Sequence, residues 1–123
     1  MSGNSILLDT NTVLYFLSGD ETIAEFIKDK KVFISVITEM ELLSYSKITS
    51  KELKVVSGFI SEIDVVNITD EIKETAIRIR RTARLKLPDC IIAASSVSLK
   101  IPLITADKEI KNIESLDIIY YEK

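Results

Sequence analysis

The sequence contains no histidine and a single cysteine, and these two scarcities exclude whole classes of catalytic site. Without imidazole there is no Ser-His-Asp or Cys-His nucleophilic site and no histidine metal site. One thiol allows neither an internal disulfide nor a thiolate zinc cluster. Any chemistry must therefore depend on carboxylates, hydroxyls, amines or a bound hard cation.

Glycine and proline are also scarce, with three and two residues, and they do not cluster into a linker. No apolar run reaches the roughly 18 residues of a membrane span. The opening MSGNSILLDTNT lacks the cationic and apolar regions of a signal peptide. The 123 residues, 46% of them apolar, suit one domain with its own core. We therefore expect a single domain over residues 1–123 in a soluble, cytoplasmic protein.

Positive charge is limited and local. The net charge of −3 argues against a protein that wraps duplex nucleic acid through bulk charge. One basic run stands out, and its interpretation stays open between a solvated helix face, a phosphate rail that guides RNA, and a surface for an acidic partner segment. The run consists of Arg78, Arg80, Arg81, Arg84 and Lys86.

Short apolar runs alternate with segments of helical spacing. Five runs, rich in β-branched residues, predict buried strands over 5–8, 32–36, 63–68, 102–105 and 117–121. The spacing between them predicts helices over 22–30, 50–62 and 69–85, one opened by a capping box of Thr38 and Glu41, and one starting at Pro88. This alternation is typical of an α/β fold with a parallel sheet.

Acidic residues follow the predicted strands, where ligands bind in open α/β sheets. Asp9 follows the first strand and Asp107 the fourth. Glu39 and Glu41 lie on the helix after the second strand, and Asp89 begins the late helix. Each acid alone is explained as a helix cap or a first-turn acid.

Taken together, these acids predict a metal centre. Clustered carboxylates repel one another unless a cation lies among them. Oxygen ligands without histidine or cysteine select Mg²⁺ or Mn²⁺. Two such ions, about 4 Å apart, activate water and stabilise the leaving oxygen in phosphodiester cleavage.

Four motifs give the sequence a resemblance to the PIN domain family, and within it to the small VapC-type toxins. They are ILLDTN, ISVITEMELL, KLPDCIIAASS and PLITADK, and they span the chain in order. The resemblance implies a five-stranded parallel sheet flanked by helices on both faces, a three-layer sandwich. It also implies a ribonuclease that cleaves single-stranded RNA with Mg²⁺ or Mn²⁺, forms a homodimer and is held inactive by a small antitoxin.

The same resemblance assigns roles to individual residues. The family's four catalytic and metal-binding acids match Asp9, Glu41, Asp89 and Asp107. Two polar positions that support the acids or the metal-bound water match Asn11 and Thr105. Glu39 is an alternative to Glu41, although the sequence E-L-L favours Glu41. The chain departs from the family pattern at Ala106, where many members have Asn.

The residues near the ends of the predicted strands also bear on other functions found among α/β proteins. A haloacid-dehalogenase-type phosphatase needs a second Asp two residues after the first, where this chain has Asn11. A receiver domain needs an Asp at the end of the third strand, for which Asn67 and Asp70 are poor fits. A catalytically silent binding module with the PIN fold, and an RNA-maturation nuclease without an antitoxin, stay open as alternatives.

Overall fold

A parallel sheet of five strands forms the centre of the protein in the computed structural model, which describes residues 4–122. The strands lie in the order β3-β2-β1-β4-β5, so β1 is central. Their bounds are β1 Ser5–Leu8, β2 Lys31–Ser35, β3 Asp64–Val66, β4 Leu103–Thr105 and β5 Ile118–Tyr120. The predicted parallel α/β fold is therefore confirmed.

Helices cover both faces of the sheet. They are α1 Thr10–Leu17, α2 Glu21–Ile27, α3 Val36–Leu43, α4 Ser50–Ser61, α5 Asp70–Thr82, α6 Leu87–Leu99 and α7 Lys108–Lys111. Successive side chains of a strand point to opposite faces. Leu7 accordingly joins the core cluster of α5, α6 and α7, whereas Ile6 and Leu8 join the cluster of α1, α3 and α4.

Strand β1 is the buried central strand of the sheet. Ile6, Leu7 and Leu8 are completely buried, and each such side chain contributes about 1.5–3 kcal/mol through burial. β1 pairs with β2 on one side and with β4 on the other. The residue that follows β1 is thereby held at a fixed place on the carboxyl edge of the sheet.

Several predicted boundaries differ from the structure. The capping box at Thr38 is wrong: Ser35 caps α3 by accepting a hydrogen bond from the Ile37 backbone N–H at 3.0 Å, and Thr38 is buried within the helix. The helix predicted over 69–85 starts after its N-cap Thr69 as expected, but it ends at Thr82 because Ala83 is extended. Helices α1 and α7 were not predicted from the sequence.

The length and hydropathy of each described helix were compared with those of a membrane-spanning helix. None of the helices within residues 4–122 has both the length and the hydropathy required to cross a lipid bilayer.

Candidate active site

Asp9 lies between the end of β1 and the start of α1, where it is the N-cap of that helix. Its Oδ1 accepts hydrogen bonds from the Thr12 backbone N–H at 2.9 Å and from Thr12 Oγ1 at 2.6 Å. Its Oδ2 accepts a hydrogen bond from Thr105 Oγ1 at 2.5 Å. The side chain is 6% exposed, so its orientation is fixed by three donors in a largely dry environment.

The electrostatics of Asp9 reflect this burial. Desolvation raises the pKa of its carboxyl above 3.8, and the nearby charge of Asp107 adds to the rise. Hydrogen bonds from Thr105 and Thr12 pull the pKa of Asp9 back down because they stabilise the ionised form. The threonines therefore offset part of the free-energy cost of burying this carboxylate.

Asp107 stands at the corresponding place after β4, as the N-cap of α7. Its Oδ1 accepts a hydrogen bond from the Glu109 backbone N–H at 2.8 Å. The Asp107 backbone N–H donates to Thr105 Oγ1 at 3.0 Å. One buried hydroxyl thus connects the residues that carry two of the carboxylates.

Glu41 lies on α3, whose start at Val36 follows directly from β2. Its Oε1 accepts a hydrogen bond from Thr10 Oγ1 at 2.5 Å, and Thr10 Oγ1 lies 3.0 Å from Thr38 Oγ1. Helix α3 therefore presents Glu41 to the first turn of α1.

Asp89 lies in the first turn of α6. Burial is the largest cause that raises its pKa above 3.8, followed by the charges of Asp107, Glu41 and Asp9. Lys86 opposes this rise. The three other predicted acids are therefore close enough to Asp89 to act on it electrostatically.

The four carboxylates line one cleft of about 330 Å³, termed the acidic cleft. Its lining residues are Asp9, Thr10, Asn11, Glu41, Ser44, Asp89 and Asp107. Glu39 is absent from this lining, so the structure brings Glu41 to the cleft in preference to the alternative. Thr105 stands behind Asp9 and holds it from the core side.

The donors of the acidic cleft fit a hard cation by their chemistry. They are oxygen atoms, and neither ion pair found within residues 4–122 uses a cleft carboxylate. In the described part of the chain, no three acidic or cysteine side chains lie close enough together to hold an ion as they stand. The mutual repulsion that raises the pKa of Asp89 is what a bound cation would relieve.

Of the five basic residues predicted to bind RNA, two line a cavity away from the acidic cleft. Arg78 and Arg84 line a cavity of about 730 Å³ that shares no lining residue with the acidic cleft. The charge of Lys86 acts on Asp89, which lines the cleft, whereas the charge of Arg80 acts on the buried Cys90. Arg81 is exposed in the last turn of α5.

An apolar groove of about 630 Å³ adjoins the acidic cleft, and the sequence interpretation missed it. It runs between α1 and α4, and exposed side chains such as Leu14, Tyr45 and Val55 line it. Thr10 and Glu41 line both the groove and the cleft. A molecule in the groove would therefore contact the edge of the acidic site.

Several threonines of the site were also missed. Thr12 could have been found, since it stands three residues after Asp9, the spacing at which an N-cap side chain accepts a hydrogen bond. Thr10 and Thr38 had no such signal, because their contact joins two helices 28 residues apart in sequence.

Comparison with known proteins gives a family and a set of similar structures. The PIN domain model matches residues 6–116. A chain of a toxin–antitoxin complex from Klebsiella pneumoniae is 28% identical, with a TM-score of 0.82 over 96% of this chain and 99% of that chain. A chain of DNA-bound VapBC from Salmonella typhimurium is 26% identical, with a TM-score of 0.83 over 94% of this chain and 97% of that chain.

More distant similarity concerns the fold alone. A chain of VapBC2 from Rickettsia felis, bound to a promoter DNA fragment, has a TM-score of 0.84 at 20% identity over 96% of this chain and 99% of that chain. No curated protein sequence matches this chain. The family match covers most of the sequence and includes all four acids of the acidic cleft, and the chain belongs to the PIN domain family.

Proposed function

We propose that this chain is a metal-dependent endoribonuclease that hydrolyses single-stranded regions of RNA and acts as the toxin of a toxin–antitoxin pair. The observation that carries the proposal is the convergence of four carboxylates, from four separate segments, on one cleft at the carboxyl edge of the sheet. Membership of the PIN domain family and similarity to toxin–antitoxin complexes at 28% and 26% identity support it.

In this proposal Asp9, Glu41, Asp89 and Asp107 hold Mg²⁺ or Mn²⁺. When bound there, such an ion would lower the pKa of water and would stabilise negative charge on the scissile phosphate. The protein supplies the orientation, since hydroxyl and amide donors fix Asp9 and Asp107 before any ligand arrives.

Polar groups beside the acids contribute to substrate binding. Asn11 and Ser44 line the acidic cleft without being charged. The Asn11 amide and the Ser44 hydroxyl donate hydrogen bonds to phosphate or ribose oxygens of the RNA. Lys86 acts electrostatically on Asp89 of the cleft, and the exposed side chains of Lys86 and Arg80 attract the phosphate backbone.

The partner in this proposal is an antitoxin whose apolar segment occupies the groove between α1 and α4. The groove exposes Tyr45 and Val55 to solvent and meets the cleft at Thr10 and Glu41. Co-expression with the open reading frame just upstream tests this: the antitoxin should co-purify with wild type and be lost on Val55→Asp. Retained co-purification of that variant would argue against the groove as the binding surface.

A homodimer is also part of the proposal. Met40 and Leu87 are 60% and 50% exposed, and they belong to α3 and α6, which pack against each other. Exposed apolar side chains on adjacent helices favour burial against a second copy. Light scattering after gel filtration should give twice the chain mass, and Met40→Lys with Leu87→Lys should give a monomer.

The decisive experiment is an RNA cleavage assay with Mg²⁺, Mn²⁺ or EDTA, on wild type, Asp9→Asn and the matched control Asp117→Asn. Asp117 is exposed and lies outside the acidic cleft. We expect metal-dependent cleavage by wild type and control, and none by Asp9→Asn. Cleavage by Asp9→Asn would remove that residue from the mechanism.

Two outcomes of the cleavage assay, combined with a metal-binding measurement and the co-expression test, favour the alternative functions. Absence of both cleavage and metal binding would indicate a silent binding module with the PIN fold. Metal-dependent cleavage without an interacting upstream protein would favour an RNA-maturation nuclease.

A further inference from the structure

Thr10 forms a contact in the acidic cleft that the proposed function does not yet use. Its Oγ1 lies 2.5 Å from Glu41 Oε1 and 3.0 Å from Thr38 Oγ1. Thr38 and Glu41 are three residues apart on α3, so they lie on one face of the helix. Thr10, at the start of α1, meets that face.

The direction of these two hydrogen bonds follows from the number of protons. A threonine hydroxyl donates one proton, and an ionised carboxylate only accepts. The distance of 2.5 Å is typical of a charge-assisted O–H···O⁻ bond. Thr10 therefore donates to Glu41, and its remaining oxygen lone pairs accept the proton of Thr38, which is completely buried.

Glu41 has a particular need for such a contact. Asp9 and Asp107 are short side chains held by backbone N–H groups at helix starts. Glu41 is longer, lies within α3 and is exposed to solvent. Freezing a glutamate side chain in one rotamer costs conformational entropy, and a hydrogen bond made in advance reduces that cost at the moment of ion binding.

We propose that Thr10, oriented by Thr38, is a positioning residue that holds Glu41 toward the ion site. This role rests on the proposed function, because it presupposes that Glu41 binds a metal ion. The proposal gives a role to the hydroxyl of Thr10, directly after Asp9. It also gives a role to Thr38, which was predicted as a helix cap and is buried within α3.

The test compares Thr10→Val, which keeps the shape and removes the hydroxyl, with Thr10→Ser, which keeps the hydroxyl. Binding of Mn²⁺ is measured by calorimetry without RNA. We expect the affinity of Thr10→Val to fall about tenfold and that of Thr10→Ser to stay near wild type. Thr22→Val, an exposed threonine of α2 outside the acidic cleft, is the matched control and should not change.

A double-variant cycle distinguishes action through Thr10 from general loosening. Thr38→Val alone should weaken Mn²⁺ binding less than Thr10→Val. Because Thr38 acts only by orienting Thr10, the double variant should bind no more weakly than Thr10→Val alone. Additive losses would overturn the role of Thr38.

Failure of the metal-dependent function and failure of the positioning role of Thr10 give different Mn²⁺-binding results. If wild type binds no Mn²⁺, the proposed metal-dependent function fails. If wild type binds Mn²⁺ and a folded Thr10→Val protein binds it equally well, the metal site stands and the positioning role of Thr10 is overturned. Circular dichroism establishes that each variant is folded.

Discussion

Thr105 at the end of β4 donates a hydrogen bond to Asp9 at the end of β1, across 96 residues of sequence and 2.5 Å of space. The same hydroxyl accepts the backbone N–H of Asp107. Because Thr105 is completely buried, water cannot replace either contact. A single core hydroxyl therefore sets the relative placement of the first and last acids of the cleft.

Thr105→Val should destabilise the protein by about 1–3 kcal/mol at neutral pH, since it leaves a buried carboxylate oxygen without its donor. Valine keeps the side-chain volume, so the loss reports the hydroxyl rather than a cavity. Urea unfolding measures the change, and Thr105→Ser should recover most of it. Equal stability of the Val and Ser variants would contradict this account.

The stability of the metal-free protein should depend on pH through Asp89. The pKa of Asp89 is raised above 3.8 in the folded protein, mainly by burial. At pH values between the unfolded and folded pKa values, Asp89 therefore keeps a proton in the folded protein that it has released in the unfolded chain. The contribution of this group to the free energy of unfolding therefore falls as pH rises from 3.8 through the folded pKa. Asp89→Asn cannot ionise and should gain stability relative to wild type as the pH rises from about 4 through the folded pKa of Asp89.

Denaturant melts of wild type and Asp89→Asn, with EDTA present, measure this difference at each pH. Asp117→Asn is the control, because Asp117 is exposed and outside the acidic cleft. A difference that does not change with pH would mean that neither burial nor the neighbouring carboxylates raise the pKa of Asp89.

Glu41→Gln should weaken Mn²⁺ binding by at least about tenfold, whereas Glu39→Gln should leave it unchanged. Both acids lie on α3, but only Glu41 lines the acidic cleft. Calorimetry measures the Mn²⁺ affinity of both variants. The two variants carry the same Glu→Gln change at positions two residues apart. A loss confined to Glu39→Gln would transfer the role to that residue.

Arg80→Ala and Lys86→Ala should weaken RNA binding more than Arg78→Ala and Arg84→Ala. Lys86 acts electrostatically on Asp89 of the acidic cleft and Arg80 on the neighbouring Cys90, whereas Arg78 and Arg84 line a separate cavity. Fluorescence anisotropy in an Asp9→Asn background measures binding without cleavage. Each lost phosphate contact should reduce the slope of log affinity against log salt concentration by about 0.7. Equal losses of RNA affinity for both pairs would indicate that all four residues contribute to one RNA-binding surface.

The strands were predictable from the sequence because each is a short apolar run between polar residues. Helix α1 was not, since TNTVLYFL is rich in β-branched and aromatic residues that have low intrinsic helix propensity. Its formation depends on the Asp9 cap and on the packing of Val13 in the core. The start of α3 was placed too late because Val36 and Ile37 continue the β-branched pattern of the strand before them.

The acids of the site were predictable because they follow strands, and parallel strands bring their carboxyl ends to one edge. Choosing Glu41 over Glu39 from geometry required the structure, since the start of α3 decides which side chain reaches the cleft. The cavity that Arg78 and Arg84 line could not be anticipated either, because it depends on how α5 packs beside α7 and the residues that follow α7.

The place of β4 in the sheet has a consequence for timing during synthesis. The chain emerges with β1, β2 and β3 first, and β4 pairs with β1 only after residues 103–105 have been made. Until then Asp9 lacks the Thr105 hydroxyl, and the cleft lacks Asp107. On the proposed function, a ribosome-bound fragment is therefore harmless to RNA, and the groove between α1 and α4 is translated before the nuclease becomes active.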